Sequence, residues 1–287
     1  MTAEVNPRIS IIIPSRNDAA ALRRTLDDLG TLPGIDQAEV IVAAWGDHEG
    51  TERTLAGRAR LLWSTNSTRA WLLNAGARVA SGDVLFFMHA DSLPPPNALG
   101  LIHEALAEPR VVGGAFEHLF AEPSVSLRLI TFINRIRYRL TGNYYGDQGI
   151  FVRAPVFREL GGYKDLRLME DLDFTQRLKR RGRSVLVREP MLTSGRRFLA
   201  RGPWRTFFFI VGLLHSTRWA STPSGLPIAG AAPPTARREC PGPGALGRER
   251  PRHRRYRLHW TRGHAATRRG RARCGHVRAQ REHRPSD

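Results

Sequence analysis

Two short motifs that contain carboxylates, far apart in this 287-residue sequence, hold the side chains best placed to do chemistry. The first is in His89-Ala90-Asp91-Ser92, directly after the apolar segment Asp83–Met88. An imidazole and a carboxylate two positions apart can both face a divalent cation, and hard oxygen donors suit Mg²⁺ or Mn²⁺. The alternative is a turn aspartate that caps the helix following Pro94-Pro95-Pro96.

The second group is Met169-Glu170-Asp171, which precedes a helical pattern ending at Gly182. A carboxylate in a cleft can act as a general base and accept the proton of an attacking hydroxyl group. Acidic residues in the first turn of a helix are also favoured by the helix dipole alone. The pattern by itself leaves both interpretations open.

The elements around these groups predict an α/β fold with a mostly parallel sheet flanked by helices. The run Ile9–Ile13 is short, β-branched and continuous, which is typical of a strand buried on both faces. It is followed by a helical pattern at Leu22, Leu26 and Leu29, which Asn17 or Asp18 can cap. Such sheets bind ligands at the carboxyl ends of their strands. Further strands are predicted at 39–44, 60–63, 83–88, 111–117, 149–152 and 184–187, and further helices at 70–79, 97–107, 127–140 and 171–181.

The order of the motifs resembles that of the family-2 inverting glycosyltransferases, which have the GT-A fold. The resemblance covers roughly Arg8 to Trp219 and is closest to a bacterial subgroup of small soluble members. That subgroup has His-Ala-Asp where most relatives have Asp-x-Asp. The motifs that carry the resemblance are Arg69 with Asn74-Ala75-Gly76, His89-Ala90-Asp91, Gly146-Asp147-Gln148-Gly149, Gly161-Gly162-Tyr163 and Glu170-Asp171.

The resemblance implies a metal-dependent, inverting transfer of a sugar from a nucleotide-diphosphate donor to a hydroxyl acceptor, a lipid or a glycan. Asp91 would bind Mg²⁺ or Mn²⁺ with His89 beside it, and Asp171 would be the catalytic base with Glu170 in support. Arg196 and Arg197 match positions that face the diphosphate at the sugar or acceptor site, although an exposed loop explains them equally well. The other implied residues are Pro14, Ser15, Asn17, Arg69, Asn74 and Ala90 for the nucleotide sugar, and Asp147 and Gln148 for the sugar or acceptor.

Two departures from the family pattern bear on function. Relatives usually carry an aspartate just after the second strand to hold the nucleobase, where this chain has Ala44, so Asp47 or Glu49 would have to replace it. The helix that begins near Arg69 lacks the usual Gly before that arginine and has Leu72 in place of Gln. These departures leave a catalytically inactive nucleotide-sugar-binding protein as the alternative. A nucleotidyltransferase is expected to have a glycine-rich loop after its first strand. That class of enzyme is disfavoured because Pro14–Asp18 contains no glycine.

Charge is unevenly distributed along the chain, whose formal net charge is +19. Residues 237–287 hold 16 arginines and 4 acidic residues, and therefore carry +12 of that charge. Residues 220–287 are rich in Arg, Pro, Gly and His and lack hydrophobic periodicity, which predicts disorder or a shifted reading frame. We therefore divide the chain into a glycosyltransferase domain at 1–219 and a tail at 220–287. Few aromatic residues accompany the arginines, which disfavours nucleic acid as a partner.

The sequence predicts a cytoplasmic protein that could lie on the inner face of the membrane. Both cysteines, Cys240 and Cys274, lie in the tail, which is consistent with a reducing compartment, and we see no signal peptide. In the segment 203–219, the apolar core Phe207–Leu214 is too short to span a bilayer. With tryptophan and arginine on both sides, it could lie in a membrane interface or pack on the domain as a helix.

Overall fold

A computed structural model describes residues 7–220, so the basic segment predicted to be disordered or frameshifted lies outside the described residues. Helices and strands alternate along this part of the chain. The strands are β1 (Ile9–Arg16), β2 (Glu39–Trp45), β3 (Arg60–Trp63), β4 (Val84–Phe87), β5 (Ser92–Leu93), β6 (Val111–Phe120), β7 (Ile150–Arg153) and β8 (Arg183–Thr193). The helices are α1 (Ala19–Leu29), α2 (His48–Leu55), α3 (Arg69–Val79), α4 (Ala98–Ala107), α5 (Val125–Thr141), α6 (Ala154–Glu159), α7 (Glu170–Arg181), α8 (Arg196–Arg201) and α9 (Pro203–Ala220).

The strands form one sheet in the order β3-β2-β1-β4-β7-β6-β8-β5. The pairs β1–β2, β1–β4, β2–β3 and β6–β8 are parallel, as the sequence predicts. Strand β7 instead runs antiparallel to both β4 and β6, and the short β5 runs antiparallel to β8. The alternation of strands and helices does not predict these reversals. The chain passes from β6 to β7 through the long helix α5, and this connection does not return β7 parallel to its neighbours.

Both faces of the sheet are covered, and β1 shows why its apolar run is continuous. Ile11 and Ile13 pack on one face in a cluster with Leu22 of α1, while Ile12 packs on the other face with Leu73 of α3. All three isoleucines are fully buried, as expected when successive side chains point to opposite faces and both faces are covered.

A glycine pair in β6, Gly113 and Gly114, lets neighbouring strands approach closely. A Cβ on Gly114 would lie 2.3 Å from the carbonyl oxygen of Val185, and one on Gly113 would lie 2.5 Å from that of Phe151. The register between β6 and β8 also shifts between Val111 and Gly113. These glycines therefore allow β6 to pair with strands on both sides.

Candidate active site

Two adjoining clefts open near the carboxyl ends of β1 and β4, where parallel sheets bind ligands. The smaller cleft, of about 250 Å³, contains Pro14, Asp18, Ala90 and Asp91 in its wall. The larger, of about 570 Å³, contains Asp147, Gln148, Glu170 and Asp171 in its wall. Residues that line both clefts are Arg16, Arg69, His89 and Arg197.

Arg69 lies at the junction and joins the two groups of carboxylates that the sequence singled out. Its Nη2 donates to Oδ2 of Asp171 at 2.8 Å, and its Nε donates to Glu170. Its Nη1 contacts Nε2 of His89, two residues before Asp91. The sequence placed Arg69 near the nucleobase or diphosphate, and its contact with both carboxylates is new information from the structure.

The backbone before α7 is strained where it presents these carboxylates. Met169, directly before Glu170, has φ of 64°, a left-handed conformation that costs a residue with a Cβ of order 1–3 kcal/mol. Glu170 and Asp171 occupy the first turn of α7, where the helix dipole favours negative charge. Both are buried, so their contacts with Arg69 compensate for the loss of water.

Asp171 is held in its ionised form. Burial would raise the pKa of its carboxyl group, but the Arg69 guanidinium and backbone N–H groups lower that pKa below its usual value. Gly146 N–H donates to Oδ2 at 2.7 Å, and Leu172 N–H donates to Oδ1 at 2.8 Å. An ionised carboxylate at the wall of the larger cleft can accept a proton.

Asp91 is the oxygen donor of the smaller cleft. Burial raises the pKa of its carboxyl group, Arg197 opposes that rise, and the nearby negative charge of Asp18 adds to it. A bound cation would relieve both the burial and the repulsion. Among the described residues there is no group of three or more His, Cys, Asp or Glu arranged to hold a metal ion, so a cation here would also need oxygens from a ligand.

His89 fits a supporting role beside Asp91 better than that of a metal ligand. Burial and then the Arg69 guanidinium lower the pKa of His89 to about 3, so its imidazole is neutral at neutral pH. Because Arg69 donates toward Nε2, the proton of the neutral ring belongs on Nδ1, which lies 4.0 Å from Oδ1 of Asp91. The hydrogen bonds therefore favour Asp91 as the protein ligand for a metal.

A second polar group lines the larger cleft around Asp147. His118 of β6 is buried, and its Nε2 lies 3.5 Å from Oδ2 of Asp147, too far for a good hydrogen bond. Within the described part of the chain, His118 Nε2 and Asp147 Oδ1 are both buried without a hydrogen-bond partner. Nearby, Arg137 lies over the Tyr145 ring, and burial raises the pKa of Tyr145 to about 12. Unpaired buried polar atoms on a cleft wall are suited to bind the hydroxyl groups of a ligand.

Gln148 is buried in this wall and holds the backbone there. Its side chain is buried, donates to the carbonyl oxygen of Phe116 at 3.0 Å and accepts from the N–H of Tyr145 at 3.0 Å. Gln148 therefore fixes the Gly146–Gly149 turn on β6. That turn supplies the Gly146 N–H that binds Asp171.

Several residues that the resemblance assigned to the nucleotide sugar have structural partners instead. Asn74 binds the backbone N–H and carbonyl of Tyr163 at 2.9 and 2.7 Å. Ser15 differs, because its buried hydroxyl has no hydrogen-bond partner among the described residues. Asn17 accepts from the N–H of Asp47 at 2.9 Å, and the Asp47 carboxylate caps α2. Pro14 and Ala90 do line the smaller cleft. Ala44 is buried at the end of β2.

The arginine pair at the start of α8 divides between two positions. Arg197 lines both clefts, and its guanidinium lies 3.9 Å from the carboxylate of Asp18. Arg196 is exposed and donates to the hydroxyl of Ser194 in its own loop. Arg197 is therefore the member of the pair that can meet a bound diphosphate.

Sequence reasoning did not single out Arg16, His118, Arg137 or Tyr145, which also line the larger cleft. The sequence could have indicated Arg16 and Tyr145 as cleft residues, since Arg16 ends β1 and Tyr145 directly precedes the Gly146–Gly149 motif. His118 carried none, because it lies within a strand and only its unpaired ring nitrogen reveals it.

The protein is of the α/β class, and its two clefts lie near the carboxyl edge of the sheet, where such folds bind ligands. The glycosyl transferase family 2 model matches residues 10–159, more than half of the chain. The chain therefore belongs to glycosyl transferase family 2.

Solved structures show that the fold is of the GT-A type. A mannosyltransferase from Pyrobaculum calidifontis, PcManGT, solved with GDP-Man and Mn²⁺, is 22% identical with a TM-score of 0.52, over 67% of this chain and 58% of that one. TarS of S. aureus is 13% identical with a TM-score of 0.52, over 65% of this chain and 36% of that one. The chain thus spans less than two thirds of the length of either protein. No curated protein sequence matches it.

Proposed function

We propose that this glycosyltransferase is metal-dependent and inverting, and that it moves a sugar from a nucleotide-diphosphate donor to the hydroxyl group of an acceptor. The observation that carries the proposal is the position of Arg69. Its guanidinium binds the ionised Asp171 on one side and His89, next to Asp91, on the other. Asp91 and Asp171 thus line adjoining clefts, which supports a metal-binding role for the first and the role of base for the second.

Asp91 would hold Mg²⁺ or Mn²⁺ together with oxygens of the donor diphosphate, which fits a hard cation that accepts few protein ligands. The cation would supply positive charge to the leaving diphosphate. The binding of GDP-Man and Mn²⁺ by PcManGT supports this assignment. Arg197 and Arg16, which line both clefts, would add fixed positive charge around the same phosphates.

Asp171 would take the proton of the acceptor hydroxyl as that oxygen attacks the anomeric carbon. The bond from the anomeric carbon to the diphosphate oxygen breaks in the same step, and the diphosphate leaves with the electron pair. One displacement on the face opposite the leaving group inverts the anomeric configuration. Arg69 and the N–H of Gly146 keep Asp171 ionised and oriented before the acceptor binds.

Asp147 and His118 would bind hydroxyl groups of the transferred or accepting sugar. Both have a buried polar atom without a partner, and both line the larger cleft beside Asp171. A sugar hydroxyl can donate to the carboxylate and accept from the imidazole, which would satisfy both atoms at once.

The competing proposal is a protein that binds the nucleotide sugar without transferring it. Ala44 favours it, because no carboxylate stands at that end of β2, and Asp47 is engaged in capping α2. The intact Asp171 arrangement favours catalysis, so we expect Ala44 to change the choice of nucleobase rather than to abolish the reaction.

A panel of nucleotide-diphosphate sugars, assayed with Mn²⁺ for release of the nucleoside diphosphate, tests the proposal. We expect at least one donor to be hydrolysed slowly without acceptor, and EDTA or Asp91→Asn to stop the release. Calorimetric binding of a donor with no release under any condition would favour the competing proposal. The exposed Asp36→Asn variant is the matched control and should keep parental activity.

A further inference from the structure

We propose that α5, α8 and α9 form a surface that docks on an anionic lipid bilayer, and that the acceptor is an amphiphile drawn from that bilayer. We call the outward faces of these three helices the docking surface. The acceptor part rests on the proposed function, whereas the docking part does not.

Apolar side chains follow one face of α5 that no described element covers. The exposed positions are Val125, Leu129, Phe132, Ile136 and Leu140, spaced by three or four residues. At 3.6 residues per turn they lie on one stripe, opposite the buried Leu127, Ile130 and Tyr138. Phe132 is 58% exposed and Leu140 is 81% exposed, which is costly in water and explained if the stripe is covered.

Helix α9 extends the apolar surface beside α5. Phe207 of α9 and Phe198 of α8 pack against the buried Leu127 and Ile130 of α5, so both helices are neighbours of α5. Trp204 and Phe208 lie on the exposed side of α9, and Phe208 is 65% exposed. The stripe on α5 and the aromatic residues of α9 thus expose bulky apolar side chains on two neighbouring helices.

The charge of the docking surface favours anionic lipid over an unspecified apolar partner. The ranges Val125–Thr141, Arg196–Arg201 and Pro203–Ala220 contain no aspartate or glutamate and nine arginines. Arg128, Arg201 and Arg205 are exposed, and none of them has a carboxylate partner within residues 7–220. Aromatic and aliphatic side chains mixed with arginine are typical of surfaces that lie in the headgroup region of a bilayer.

Such a surface would lie on the membrane rather than cross it. Within the described residues, no helix combines the length and the apolar character needed to span a bilayer. Each exposed aromatic side chain would add binding by leaving water for the boundary of the acyl chains.

Two of the same helices also line the larger cleft. Phe209 and Ile210 of α9 form part of its wall, together with Asn134 and Arg137 of α5, and Asp171 lines the same cleft. An acceptor with an apolar tail could leave its tail along Phe209 and present its hydroxyl group to Asp171. The cleft thus connects the docking surface with the catalytic carboxylate.

Flotation of the full chain with vesicles tests docking without any substrate. We expect binding to vesicles with about a third phosphatidylglycerol and weak binding to pure phosphatidylcholine. Phe132→Ser with Phe208→Ser should lower the partition coefficient roughly tenfold or more, since two large apolar side chains are lost. The control Trp71→Ser removes a half-exposed aromatic of α3 and should leave partition unchanged.

Charge variants separate this surface from the arginines elsewhere in the chain. Arg128→Glu with Arg201→Glu should weaken binding to anionic vesicles more than Arg23→Glu with Arg24→Glu, which changes two exposed arginines of α1 by the same charge. Equal partition of the parent and the Phe132/Phe208 variant, or equal effects of the two charge pairs, would overturn the docking proposal. Circular dichroism of each variant shows whether it has folded.

A separate assay, the transfer of labelled sugar to lipid, tests whether the acceptor comes from the bilayer. Vesicles of total bacterial polar lipid and radiolabelled nucleotide-diphosphate hexoses are incubated with the chain, and label is extracted into chloroform. We expect chloroform-soluble label that falls with the Phe132/Phe208 variant. Label confined to the aqueous phase, with docking intact, would refute the lipid acceptor. Absence of nucleoside diphosphate release from any donor would instead count against the proposed function, and flotation still decides docking.

Discussion

Replacing Arg69 by glutamine removes the positive charge that Glu170 and Asp171 share. Both carboxylate side chains are less than a tenth exposed. Removing one partner of a buried ion pair costs about 3–5 kcal/mol, because the other charge stays buried without compensation. Arg69 is itself 31% exposed, so water replaces part of its effect and the lower end of that range applies. We expect urea unfolding at pH 7 to show a free energy of unfolding lower by about 3 kcal/mol.

The loss should depend on pH in a defined direction. The pKa of Asp171 is below its usual value in the folded protein, so its stabilising contribution is present above the unfolded-state pKa and is lost as pH falls. In Arg69→Gln this contribution is absent, and the difference from the parent should therefore shrink as pH falls below about 4. Adding Glu170→Gln to Arg69→Gln should recover part of the loss, because one uncompensated charge is removed.

Arg53→Gln is the matched control, because Arg53 pairs with Glu49 on the exposed face of α2. An exposed pair of this kind contributes less than about 1 kcal/mol. Our interpretation of Arg69 is refuted if its variant loses no more stability than Arg53→Gln at pH 7, or if its loss of stability is the same at about pH 3 as at pH 7.

Three further predictions follow from the described contacts. Gly114→Ala should lower the free energy of unfolding by about 1–3 kcal/mol, because its Cβ would meet the Val185 carbonyl oxygen at 2.3 Å; Gly212→Ala, with nothing within 4 Å, should not. As pH is lowered, kcat/KM should fall only below about pH 4, since burial raises the pKa of Asp171 but Arg69 and backbone N–H groups lower it further. A fall in kcat/KM that begins near pH 6 would contradict this. Asp147→Asn should raise the KM of donor or acceptor about tenfold or more with little change in kcat, because a hydrogen bond to a charged group is lost. A change in kcat alone would exclude a binding role for Asp147.

Much of the sheet could be predicted from the sequence because its strands are buried on both faces and their apolar runs are continuous. The third strand, Arg60–Trp63, was predicted with its observed bounds. The reversal of β7 could not be predicted, since its four residues pair with distant strands and carry no signal of direction. Helix α8 was also missed, because six residues give too short a pattern to separate from a loop.

The site was predictable where position in a motif decides it, and not where long-range contacts decide it. Asp91 and Asp171 follow from their places after β4 and at the start of α7. The contacts of Arg69 with Glu170 and Asp171 join residues about 100 positions apart in the chain, so no local pattern shows them. Asn74 shows the opposite case, because a residue that the family pattern places near the ligand is held by the backbone of Tyr163. The roles assigned to these side chains therefore stay predictions until tested by substitution.

The measurement that tests the central claim most directly is the rate of transfer by Asp171→Asn with an active donor and Mn²⁺. Asparagine keeps the shape of the side chain and an oxygen to accept from Gly146 N–H, but it cannot take the proton of the acceptor. We predict a rate lower by about 10²–10⁴-fold, with calorimetric affinity for the donor unchanged. Transfer by Asp171→Asn at the parental rate would contradict the account and place the base elsewhere in the cleft.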